Sequence, residues 1–285
     1  MSMLRYKVVD VFTDRPFTGN PLAIVFDADH LAGEQMQAIA LEFNLSETIF
    51  VLRPTTPEAT YRVRIFTPGT ELPFAGHPSV GCAVTLHRDG LVKTTDVIME
   101  CGAGLLPITI DDVHGTATVT GGTPTVEPAL DPAPLLAAVG LTEADFVGPA
   151  PRRAGCGLPF TFLSVTDEAV GRLRPRGLVD NLSVLHWDAE RHEAHVRVLV
   201  PDAGVAEDPA TGSAAMGLGV WLVASGLLPG DGLSRYQIRQ GSEMRRPSLL
   251  SCSITATGGE AVSATVAGHV VPIASGEMIV PPFVG

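Results

Sequence analysis

Two stretches of the chain read alike, and they decide its organisation. The first is Arg64-Ile65-Phe66-Thr67-Pro68, followed by Phe74-Ala75-Gly76-His77-Pro78. The second is Arg197-Val198-Leu199-Val200-Pro201, followed by Ala210-Thr211-Gly212-Ser213-Ala214. Each opens with an arginine on a strand-like run closed by proline. Each then crosses a loop to a small residue, a glycine and a polar residue where a helix is predicted to begin. The loops differ in length: Pro68 to Gly76 is eight positions and Pro201 to Gly212 is eleven. Two half-chains built alike would set two helix N-termini across one cleft.

Working outward, Arg5–Phe12 and Leu22–Phe26 read as strands around a turn holding Gly19-Asn20-Pro21. Residues 33–44 read as a helix, because Met36, Ile39, Ala40 and Phe43 fall on one apolar stripe. Thr48–Leu52 and Tyr61–Phe66 are predicted strands. His77–His87 is a predicted helix with Pro78 in its first turn and Gly90 just past its end. Short strands follow over 96–101, 105–110 and 115–120. Residues 121–131, rich in Gly, Pro and Thr, read as a linker. The second half adds a short helix over 132–139, strands over 159–165 and 195–200, and an apolar helix over 212–225 ended by Gly226. Strands over 235–240, 249–254, 262–266 and 270–273 close the chain.

Composition bounds the function. Hydrophobic residues make 45% of the 285 and charged residues 18%, enough for a large core and unlike a disordered chain or a coiled coil. The net charge of −12 disfavours nucleic acid, whose phosphates need a basic face. It does not disfavour a small anion, which a few local N–H groups can hold. No apolar run reaches the ~20 residues of a membrane span, and the N-terminus lacks the apolar region of a signal peptide. The expectation is a soluble, cytoplasmic protein. Cys82, Cys101, Cys156 and Cys252 are scattered, so neither a zinc knuckle nor a disulfide framework fits. Lys7 and Lys93 are the only lysines, and neither has the context of a pyridoxal Schiff base or a phosphate-loop lysine. Gly102-Ala103-Gly104 lacks the third glycine of a dinucleotide fingerprint. No cofactor and no metal is expected.

Four constellations remain. At Gly76-His77 and Gly212-Ser213 a helix start offers backbone N–H groups and a positive dipole end to an anion. The same residues also fit ordinary capping, with Ser213 as N-cap. Glu47 stands between a helix end and an apolar strand, where partial desolvation suits a carboxylate to proton transfer; a solvated turn glutamate fits the spacing too. Asp208, in Glu207-Asp208-Pro209, is an acid/base candidate or a loop anchor. His77 is a donor, a proton shuttle or a buried imidazole. His186, His192 and His195 lie in what reads as a hairpin, without a metal-binding spacing.

Taken in order, Val9-Asp10-Val11-Phe12, Gly19-Asn20-Pro21, Leu45-Ser46-Glu47-Thr48-Ile49-Phe50, Arg64 to Pro68, Glu71 to Pro78 and Glu207 to Ala214 resemble the phenazine-biosynthesis PhzF family over nearly the whole chain. The resemblance implies an α/β (α+β) fold like that of diaminopimelate epimerase. Two pseudo-symmetric domains would each curl a mostly antiparallel sheet around a central helix. The boundaries expected are 1–124 and 125–274, with 275–285 returning to the first domain. The central helices would be the two the repeat selects. Epimerase relatives carry catalytic thiols just before the paired glycines, where this chain has Ala75 and Thr211, so a two-thiol racemase is excluded. What the resemblance implies instead is a cofactor-free isomerase of trans-2,3-dihydro-3-hydroxyanthranilate or another small carboxylic acid. Its acid/base glutamate would be Glu47, supported by His77 and Asp208, with Ser46, Gly76, Gly212 and Ser213 binding the substrate. A homodimer is implied as well. Other small-acid isomerases or epimerases, or a protein that only binds such an acid, stay open. Leu199 departs from the family's usual Phe.

Overall fold

The computed structural model describes residues 3–176, 181–201 and 205–282. The chain divides into two compact units, Met1–Val119 with Ala267–Gly285, and Thr120–Val266. The sequence-based boundaries stand a few residues later, at 124/125 and 274/275.

The first unit runs β1 (Met3–Val11), β2 (Asn20–Val25), α1 (Gly33–Phe43), β3 (Glu47–Leu52), β4 (Tyr61–Phe66), β5 (Glu71–Leu72), α2 (Gly76–Arg88), β6 (Asp96–Cys101), β7 (Gly104–Asp111) and β8 (Thr116–Thr120). Strand β1 is antiparallel to β2, β2 parallel to β3, β3 antiparallel to β4, and β4 parallel to β6. The α1 stripe buries Met36, Ile39 and Ala40 with Leu4, Val25, Phe50 and Phe66, and Phe43 packs at its margin. Asn44 ends that helix in the left-handed conformation with φ 50°. Helix α2 is buried from Gly76 through Leu86.

The second unit runs β9 (Pro124–Ala129), α3 (Pro132–Ala138), β10 (Arg152–Cys156), β11 (Phe160–Ser164), α4 (Asp167–Arg172), β12 (Leu182–Asp188), β13 (Glu193–Val200), β14 (Val205–Asp208), α5 (Gly212–Ala224), β15 (Gly232–Gln240) and β16 (Ser248–Thr257). The pairing pattern repeats. Strand β10 is antiparallel to β11, β11 parallel to β12, β12 antiparallel to β13, and β13 parallel to β15. Strand β17 (Glu260–Ile279) begins in this unit and ends in the first, where Val270 to Ile279 pair with β1. Trp221 of α5 is fully buried and lies 6.2 Å from the Phe162 ring. Gly219 lets the helix approach β15: a Cβ there would fall 2.4 Å from the Tyr236 hydroxyl, which donates to the Ala215 carbonyl at 2.8 Å.

Register makes the duplication concrete. Ile65 pairs with Leu72 in the first unit, and Val198 pairs with Asp208 in the second. Each short strand then leads, four positions on, to the glycine that opens the buried helix. The loop in the second copy includes 202–204, which lie outside the described residues.

Three local expectations need correction. Residues 124–129 are a strand paired with β10, not a linker; Pro128, which has no N–H to give, sits where the ladder is irregular. Residues 262–273 are one strand with β17, because Gly268 does not take the positive φ that would break it. Ser213 is not an N-cap: α5 begins at Gly212 with Thr211 as its cap residue.

One ion pair here makes a pH prediction. Asp145 accepts hydrogen bonds from the Thr142 N–H at 2.9 Å and the Thr142 hydroxyl at 3.1 Å, and pairs with Arg172. These contacts, the Thr142 N–H first, hold its carboxyl below the usual range. A depressed value contributes stability above the unfolded carboxyl value of about 3.9 and loses it as pH falls through the folded one. Asp145→Asn is therefore expected to melt below the parent at neutral pH, with the two melting curves converging below about pH 4. A gap that persists in acid would contradict this.

Candidate active site

In the first unit the structure brings Glu47 and His77 together. Glu47 opens β3, and its backbone registers with Leu22 of β2. His77 is the second residue of α2, and its side chain is 3% exposed. The helix cap residue, Ala75, is extended and gives the helix start no side-chain bond. His77 Nδ1 stands 3.1 Å from Glu47 Oε2, and the Glu47 side chain is 16% exposed. That oxygen is sealed from water yet has no well-aligned hydrogen bond. Ser46 precedes Glu47 and is half-buried, and Gly76 is buried at the helix start.

In the second unit, Asp208 ends β14, 7% exposed, and accepts a hydrogen bond from the Thr211 hydroxyl at 2.6 Å. Gly212 is buried and Ser213 half-buried in the first turn of α5. Thr211 gives its own helix no cap bond, because its hydroxyl is turned to Asp208.

Each loop before a buried helix is held by a two-pronged arginine–glutamate pair. Arg64 donates to Glu71 through Nε and Nη2, both at 2.6 Å. Arg197 donates to Glu207 at 2.8 and 2.7 Å, and its Nη1 also reaches the Val170 and Leu173 carbonyls. These pairs were not anticipated from the sequence. The signal was there: Glu71 and Glu207 each stand five positions before the helix glycine. Gln240, which bonds both Asp208 and Thr211, was also missed.

The histidine group is a hairpin, β12 to β13, and its side chains are held by protein. His195 lies between Asp167 at 2.7 Å and Glu243 at 3.0 Å, and His186 Nδ1 is 3.2 Å from the Val165 carbonyl. Among the described residues no His, Cys, Asp and Glu group has metal-binding geometry, and no helix is long and apolar enough to cross a membrane.

The thiols are poorly placed for acid/base work. Burial pushes Cys82 and Cys252 well up and Cys156 up to about 12, while Cys101 is half-exposed and raised less. Since the thiolate is the reactive form, a thiol reagent at pH 8 is expected to label native protein at Cys101 first. Mass spectrometry showing Cys82 or Cys252 modified as quickly would contradict that burial.

Each unit packs one buried helix, α2 or α5, against its strands. A hydroxyproline epimerase from Agrobacterium vitis matches with a TM-score of 0.67 at 14% identity, over 98% of this chain and 94% of that one, a likeness of fold. Sequence goes further than fold. The model of the PhzC-PhzF family, phenazine biosynthesis-like proteins, matches residues 9–276, and the chain belongs to that family as one of its isomerases. It is 36% identical over 285 residues to the trans-2,3-dihydro-3-hydroxyanthranilate isomerase of Pseudomonas aeruginosa, covering 96% of this chain and 99% of that protein. It is also 36% identical over 315 residues to an uncharacterized isomerase of Mesorhizobium japonicum, covering 98% and 100%. The crystal structure of a PhzF-family phenazine biosynthesis protein from Bacillus anthracis matches with a TM-score of 0.87 at 26% identity, over 98% and 100%.

Proposed function

We propose that the protein is a cofactor-independent isomerase of a small carboxylic acid, with trans-2,3-dihydro-3-hydroxyanthranilate as the first substrate to test. Glu47 takes a proton from one carbon and returns it to another, while the π electrons shift between them. The observation that carries this reading is the Glu47–His77 pair, a carboxylate oxygen shielded from water beside an imidazole fixed on a buried helix. A base must be held and yet available, and a carboxylate already saturated with donors is not. The starts of α2 at Gly76-His77 and of α5 at Gly212-Ser213 offer N–H groups to the substrate carboxylate and to charge that develops on it. Asp208 takes the substrate's amine or hydroxyl, and Ser46 lies beside the base. One carboxylate moving one proton needs no redox partner, and of the two lysines Lys7 is committed to Asp89. The family resemblance extends the proposal to a cytoplasmic homodimer.

The test is turnover in D₂O followed by NMR. The substrate should convert with deuterium at the reprotonated carbon, or with the original protium if the proton is shielded during transfer. Dialysis against a chelator should leave the rate unchanged. Loss of turnover on chelation, restored by one metal, would overturn the cofactor-independent reading. Absence of turnover on this compound and on other small unsaturated acids would overturn the isomerisation.

A further inference from the structure

We infer that Gln240 and Thr211 are positioning residues that hold the Asp208 carboxylate in place at the end of β14, with its Oδ2 fixed as a hydrogen-bond acceptor. The inference rests on the reading of Asp208 as a substrate-binding group, but its geometry is independent of that reading.

Strand β15 turns Tyr236, Ile238 and Gln240 inward on alternate positions, and the last of the three is polar at 2% exposure. A buried amide must be bonded, and this one is. Gln240 Nε2 donates to the Asp208 carbonyl at 2.7 Å and to Thr211 Oγ1 at 3.1 Å, while its Oε1 accepts the Thr211 N–H at 3.2 Å. The orientation of the amide follows from its partners: a backbone N–H can only donate and a carbonyl can only accept. With the amide donating to Thr211 Oγ1, the hydroxyl's single hydrogen must point elsewhere. It points to Asp208 Oδ2 at 2.6 Å. A proton on Oδ2 would put two hydrogens between the same two oxygens, so that oxygen is an acceptor. The chain of bonds thus fixes Oδ2 as an acceptor and holds it in place. It also commits the Thr211 hydroxyl to Asp208. The close approach depends on Gly241, at φ 78°, where a Cβ would lie 2.6 Å from the Pro209 carbonyl oxygen and 2.4 Å from that of Arg246.

The test uses Thr211→Val, which keeps shape and removes the hydroxyl, with Thr211→Ser as the conservative rescue. Crystal structures of the parent and Thr211→Val are compared first. The Asp208 carboxylate is expected to rotate away from its place in the variant, and an unmoved carboxylate would overturn the inference whatever the substrate proves to be. Kinetics on trans-2,3-dihydro-3-hydroxyanthranilate then separate positioning from mere structure. Thr211→Val should lower kcat/KM about tenfold to a hundredfold, the range a misplaced group costs, and Thr211→Ser should recover most of it. In an Asp208→Asn background the same change should cost little more, because coupled residues are non-additive. Equal penalties in both backgrounds would overturn the inference. Gln240→Met should behave like Thr211→Val; if that variant does not fold, the Thr211 variants still decide. Failure of the isomerase reading is distinguishable, because the parent would then be inactive while the crystallographic comparison still answers.

Discussion

Glu47→Gln is expected to remove most of the turnover while leaving the protein at least as stable as the parent. General acid–base catalysis by one positioned group contributes about 10²–10⁴-fold, and here the same group would both take and return the proton. The kcat should therefore fall by at least about 10²-fold. KM should change little, because glutamine keeps the shape and the carboxylate of the substrate is held elsewhere. Stability should move the other way. In the parent, Oε2 is shut away from water with the His77 ring 3.1 Å from it, and a neutral amide is cheaper to bury than a carboxylate. Lost function with an unchanged or raised Tm is the mark of a group kept for chemistry at a cost to folding. In D₂O the variant should lose deuterium incorporation along with turnover. His77→Gln should cost less, since the imidazole holds the base rather than moving the proton. Near-parental turnover by Glu47→Gln would make Asp208 the next base to test.

How far the sequence could be read depends on whether the deciding contacts are local. The helix over residues 33–43 was legible because Met36, Ile39 and Ala40 repeat with its period, and the structure buries those three. The paired motifs were legible because each copy keeps its arginine, proline and glycine in order. The three extra loop residues hid the rest of the repeat. Once the second copy is shifted by three, Arg64 and Glu71 align with Arg197 and Glu207, and Leu72 aligns with Asp208. The two copies have diverged where the chemistry is expected, with Ala75 and His77 in one and Thr211 and Ser213 in the other. Residues 121–131 were read as a linker, and their strand 124–129 was missed, because proline and glycine density signals a loop only where no neighbouring strand needs the remaining N–H groups. Gln240 gave no local signal. A glutamine alternating with Tyr236 and Ile238 becomes informative only when the fold brings Asp208 and Thr211 to it.

The two arginine–glutamate pairs have the same geometry and different surroundings, so they should differ sharply in what their removal does. Arg197 and Glu207 are 7% and 16% exposed, and the guanidinium also serves two backbone carbonyls beyond the carboxylate. Arg64 and Glu71 are 34% and 42% exposed. Breaking a buried pair by removing one partner costs about 3–5 kcal/mol, because the other charge is left without a partner. An exposed pair contributes about 0–1 kcal/mol even when well aligned. Arg197→Met is therefore expected to lower Tm by roughly 10 °C, at ~2–4 °C per kcal/mol for a chain of this size, and Arg64→Met by only about 1–3 °C. Replacing both partners, Arg197→Met with Glu207→Leu, should recover a good part of the loss, since the stranded carboxylate goes with the arginine. Activity should not return in the double variant as fully as stability does. Glu207 precedes Asp208 directly, and the clamp fixes the end of β14 from which that carboxylate projects. Calorimetry of the three variants decides it. Equal losses at the two sites would mean that burial is not what distinguishes them, and a double variant no better than Arg197→Met would place the cost in lost packing rather than in the stranded charge.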